Sequence, residues 1–84
     1  MTYQVLILRR AQKELASLPT EGFQAVRDAI RALGNRPRPV GCLKLTAREG
    51  WRIRVGQYRV IYEINDSAQA VIVLHIGHRR DVYR

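Results

Sequence analysis

The chain has 84 residues, and fifteen lysines and arginines against seven aspartates and glutamates give it a formal net charge of +8. That length supports one small domain, 1–84, around a single core and excludes a multidomain enzyme. One cysteine, Cys42, excludes an internal disulfide, and two histidines without a cysteine cluster fit no zinc spacing, so no metal site or cofactor is expected.

Thirteen of the fifteen basic residues are arginine, and residues 36–84 hold ten of the fifteen. An arginine fork stays charged at any cellular pH and fits phosphate bidentately, so the second half is expected to face a polyanion. The N-terminal MTYQVLILRR has neither the length of a signal h-region nor a small-residue cleavage site, and no stretch approaches a membrane span. A reducing, cytoplasmic location is expected.

In chain order, Tyr3 to Leu8 is rich in β-branched and aromatic residues and predicts a first strand. Leu8, Ala11, Leu15 and Leu18 recur at helical spacing and predict a short amphipathic helix over 9–18, ended by Pro19. Thr20 is placed as the N-cap of a second helix whose apolar face carries Phe23, Val26, Ile30 and Leu33, with Gly34 and Asn35 as its stop. Pro37 and Pro39 make 36–41 an extended connector. From Leu43 the period falls to two: Trp51, Ile53 and Val55 alternate with Arg52 and Arg54. Gly56-Gln57 predicts a tight turn, better suited to type II′ than type I′, and Tyr58 to Ile64 the returning strand. After a second turn at 65–69, Ala70 to Ile76 is almost wholly apolar and predicts a central strand.

The segments KLTAREGWRIRVGQYRVIYEI (44–64) and VIVLHIGHRRDVYR (71–84) closely resemble the RelE/ParE toxin superfamily, specifically its RelE branch. There a basic strand, a GxYRxxY hairpin return and a terminal GHRxxxY tail follow two N-terminal helices. The resemblance covers nearly the whole chain and is specific from Lys44 to Tyr83. It implies an α+β fold, two helices on one face of a twisted, mainly antiparallel sheet of about four strands. It also implies a toxin of a type II toxin-antitoxin pair, a metal-independent endoribonuclease that cuts the mRNA codon in the ribosomal A site. Its partners are then a RelB-like antitoxin, in a hetero-oligomer, and the ribosome with its mRNA and rRNA.

RNA cleavage without a metal uses the ribose 2′-hydroxyl as nucleophile. It needs a proton acceptor for that hydroxyl, a donor for the departing 5′-oxygen, and positive charge on the phosphorane. Arg52 and Arg54 stand where RelE-like sequences carry basic strand residues; Arg59 matches the arginine of GxYRxxY, and Arg79 and Tyr83 those of the tail. Some relatives have lysines at the first two positions. Arginine is not realistically deprotonated, so Arg52 and Arg54 are assigned to phosphate and transition-state charge. The base is then Tyr83, its phenol pulled down by neighbouring cations, or His78, because histidine changes charge near neutrality. Lys44, Arg48 and Arg80 form a candidate RNA-binding rim. Bland roles fit other residues: Tyr58, Tyr62 and Trp51 as packing groups, His75 as a satisfied sheet histidine, and Cys42 as a small buried apolar group. The other function class is a ParE-like, non-catalytic toxin that inhibits DNA gyrase.

Overall fold

The computed structural model describes residues 2–46 and 48–78. Its elements are β1 (Gln4–Ile7), α1 (Arg9–Ala16), α2 (Thr20–Leu33), β2 (Leu43–Lys44), β3 (Trp51–Val55), β4 (Tyr58–Asn65) and β5 (Ala70–His78). The strands form one sheet in the order β1-β5-β4-β3-β2, with β1 parallel to β5 and every other pair antiparallel. The α+β architecture is as expected, with one strand more than the four anticipated. That extra strand is β2, two residues paired with Trp51 and Arg52, too short to leave a period in the sequence.

Helix apolar spacing decides which face of the sheet becomes the interior. Ala11 and Leu15 of α1 and Val26, Ile30 and Leu33 of α2 are buried, and they pack with Ile53, Val60, Tyr62, Val71, Val73 and Ile76 in one cluster. In the register Ile53 faces Val60, which faces Ile76, and Tyr62 faces Val73, so these strand residues share one side. Both helices therefore cover the same face. The chain enters α2 through Pro19, whose extended backbone (φ −57°, ψ 155°) is the N-cap; Thr20 is already the first helical residue and makes no side-chain cap. The carbonyl of Pro19 accepts the first helical bond, from the Phe23 N–H at 2.8 Å. At the β3–β4 turn Gly56 has φ +59° while Gln57 has no positive φ, which excludes type I′.

The proline connector is fastened rather than loose. The Tyr62 hydroxyl donates to the Pro37 carbonyl at 2.7 Å, and the Arg38 guanidinium lies 5.1 Å over the Trp51 ring. Arg38 also donates to both carboxylate oxygens of Asp66, at 3.3 and 3.0 Å, and the Tyr3 hydroxyl donates to Asp66 Oδ1 at 2.7 Å. One carboxylate in the β4–β5 turn thus joins the N-terminal strand to the connector.

The hydrogen bonds from Arg38, and after them that from Tyr3, hold the Asp66 carboxyl below its usual range. A carboxyl with a depressed folded pKa contributes stability above its unfolded pKa, and that stability is lost as pH falls through the folded value. Thermal melts across the acid range below about pH 5 are therefore expected to show a shallower acid loss for Asp66→Asn than for the parent chain.

Candidate nucleic-acid interface

The residues that alternate with the core set of β3 and β4 emerge on the face the helices leave open. Arg52 lies opposite Ile61 and Arg54 opposite Arg59, so three arginines share that face. Arg54 and Arg59 form a directly opposed pair of like charges, an arrangement that costs free energy unless an anion lies between them. Arg54 is exposed and Arg59 half-buried. Arg52 is only 7% exposed, and its buried Nε has no hydrogen-bond partner among the described residues. The carboxylate ion pairs of arginine there, Arg10–Glu14, Arg27–Asp28 and Arg38–Asp66, involve neither Arg52 nor Arg54. A cationic face without carboxylate partners for these two suits a phosphate backbone, whose oxygens supply the missing acceptors.

The two histidines lie on opposite sides of the sheet from those that unbroken alternation along β5 would give them. Between β4 and β5 the register shifts at Ile61/Tyr62: Ile61 pairs with His75 but Tyr62 with Val73, leaving Leu74 as an extra residue. Beyond this bulge the alternation of β5 is reversed. Ile76 and His78 fall on the helix side, whereas His75 and Gly77 fall on the arginine side, in rows with Ile61 and Arg59. Rings agree with register: His78 meets Tyr58 edge-on at 6.2 Å, and Tyr58 packs against Gly22 of α2. The His78 Nε2 lies 3.1 Å from Gln57 Oε1. His78 is thus not brought together with Arg52, Arg54 and Arg59, which corrects the sequence-based expectation.

His75 is a satisfied sheet histidine in one respect. Its Nδ1 lies 2.9 and 2.7 Å from the two carboxylate oxygens of Glu14 on α1. Glu14 Oε1 also accepts the backbone N–H of Ile76 at 2.9 Å. β1 pairs with β5 only through Val73, so the edge beyond is open, and the carboxylate takes the place of a strand there. Glu14 was missed in the sequence because its partners lie 61 and 62 residues away.

Of the expected rim, Lys44 is exposed but pairs with Trp51, on the other side of the strand from Arg52, and Arg48 is exposed in the β2–β3 loop. Arg79, Arg80 and Tyr83 lie outside the described residues. Burial pushes the Tyr62 phenol far above the ordinary tyrosine range, which removes it as a proton acceptor. Among the described residues no group of histidines, cysteines and carboxylates could hold a metal ion, and no helix is long and apolar enough to cross a membrane.

This fold and arginine face define a small toxin class, and comparison identifies it. The chain belongs to the family of ParE toxins of type II toxin-antitoxin systems, parDE, whose pattern matches residues 5–83. Within that superfamily it is RelE-like. It is 34% identical over 86 residues to Toxin RelG of Mycobacterium tuberculosis, covering 100% of this chain and 99% of that protein. The toxin-antitoxin complex RelBE2 of M. tuberculosis contains a chain that superimposes with a TM-score of 0.81 at 29% identity, covering 94% of this chain and 100% of that one. A chain of the archaeal RelE-RelB complex of Pyrococcus horikoshii OT3 gives 0.81 at 30% identity, covering 98% and 100%.

A buried guanidinium without a partner for its Nε costs stability. Arg52→Leu is expected to raise the thermal midpoint by a few degrees, about 1 kcal/mol, while weakening RNA binding in a filter assay.

Proposed function

We propose that this toxin is an endoribonuclease that enters the ribosomal A site and cuts the mRNA codon there. The ribose 2′-hydroxyl attacks the adjacent phosphate, without a metal ion. The observation that carries this reading is the opposed Arg54–Arg59 pair beside buried Arg52, on a face neither helix covers. Charge accumulates on the non-bridging oxygens as the phosphorane forms, and preorganised guanidinium groups favour it most at that moment. Arg52, Arg54 and Arg59 take this role with Arg79 of the tail; Tyr83 stacks on or activates the scissile nucleotide, and Arg48 and Arg80 hold flanking phosphates. A ParE-like action on DNA gyrase is the second reading, favoured by the description of the matching family.

A RelB-like antitoxin neutralises the toxin in a hetero-oligomer, as the named partners of the M. tuberculosis and P. horikoshii complexes suggest. A second contact for it is a mainly apolar groove of about 530 Å³ between α2 and the edge of β3 that β2 leaves unpaired, with Arg52 and Arg54 also in its lining. Val40, 98% exposed, and Leu43, 55% exposed, stand at its rim.

Primer extension on a translating mRNA with purified protein is expected to show cuts confined to the A-site codon, with gyrase supercoiling unaffected. Intact mRNA with inhibited gyrase reverses the two readings. Arg59→Ala is expected to slow cutting by on the order of 100-fold, and Arg79→Ala to restore growth to cells expressing the toxin while antitoxin binding persists. Val40→Asp is expected to weaken antitoxin binding roughly tenfold in a titration, the loss of one apolar contact of 1–2 kcal/mol, with cutting retained.

A further inference from the structure

We infer that His75 and Glu14 form a carboxylate–imidazole pair in which His75 Nε2 accepts the proton of the attacking 2′-hydroxyl. This rests on the ribonuclease reading and supplies the one group that the arginines cannot.

Position comes first. The bulge at Leu74 turns His75 onto the arginine face, in the row Arg52–Ile61–His75, with Arg59 diagonal to it across β4. Opposite Arg59 on β5 is Gly77, which adds no side chain to the row between Arg59 and β5. A phosphate drawn to Arg54 and Arg59 brings its neighbouring ribose over β5. The His75 side chain is 18% exposed, so it keeps a solvent-facing part.

Orientation follows from Glu14. A carboxylate only accepts hydrogen bonds, so the nitrogen beside it, Nδ1, carries the proton, and the neutral ring has its lone pair on Nε2. Nε2 meets no hydrogen-bonding partner among the described residues. Glu14 is itself held by the Ile76 N–H at 2.9 Å and by Arg10 Nε at 3.3 Å, so the ring hangs from a fixed point. The same carboxylate stabilises the imidazolium that forms when Nε2 takes a proton.

The step balances as follows. Nε2 takes the 2′-hydroxyl proton; the electron pair of that O–H bond becomes the new bond from O2′ to phosphorus. The bond from phosphorus to O5′ breaks, and the departing oxygen takes a proton from water. The products are a 2′,3′-cyclic phosphate and a 5′-hydroxyl, and the hydroxide left behind is neutralised by the proton held on His75. Glu14 is a positioning residue, since it touches His75 and not the RNA.

The test uses the full chain in single-turnover cleavage of mRNA on programmed ribosomes. His75→Asn, whose amide can still donate to Glu14, is expected to lower the rate about 100-fold or more, with a thermal midpoint close to that of the parent chain. His75→Ala is expected to regain activity with added imidazole. Glu14→Gln is expected to slow the parent about tenfold and to have no further effect in the His75→Ala background. A His75→Asn protein that cuts within about threefold of the parent overturns the proposal while leaving the ribonuclease reading standing. If the parent leaves the mRNA whole, the ribonuclease reading fails and the proposal falls with it.

Discussion

Two helices of 8 and 14 residues can cover only one face of this five-stranded sheet, and everything else in the molecule follows from that asymmetry. The covered face collects most of the branched aliphatic residues and Tyr62; on the other face Ile61 is also buried, and the exposed remainder must be compatible with water. Sheets usually meet this need with mixed polar residues. Here β3 and β4 place Arg52, Arg54 and Arg59 on it, the last two in direct opposition. These arginines are held there by the same pairing that builds the core, since each is flanked along its strand by residues anchored on the other side.

Much of this was legible in the residues themselves. The helix period around Val26, Ile30 and Leu33 located α2, and the alternation of Trp51, Ile53 and Val55 with Arg52 and Arg54 separated core from open face. Motif spacing located the turn at Gly56, because a hairpin of that length needs a left-handed residue. Less legible was the degree to which Arg52 is buried, which depends on what surrounds it in three dimensions and not on its parity.

The histidines show where period-two reasoning stops. A strand alternates faithfully only while it remains unbulged, and no composition signal in VIVLHIGH announces the extra residue. Val71 and Val73 share a side, so unbroken alternation assigns His75 to the core and His78 to the arginines. One inserted residue reverses both assignments. The stabilising logic is clear once seen: the bulge lets Ile76 follow Val71 and Val73 into the core, which strict alternation would have denied it.

The parallel pairing of β1 with β5 has a consequence for the order of events during synthesis. β5 lies between β1 and β4, and it is the last of the described elements to be translated. Until it emerges, β1 has no partner in the sheet, α1 has no edge to close with Glu14, and the core lacks Val71, Val73 and Ile76. Contacts spanning more than sixty residues form late and slowly relative to local ones. A nascent chain of this topology therefore lacks the assembled core behind the β3–β4 arginines until β5 takes its place between β1 and β4.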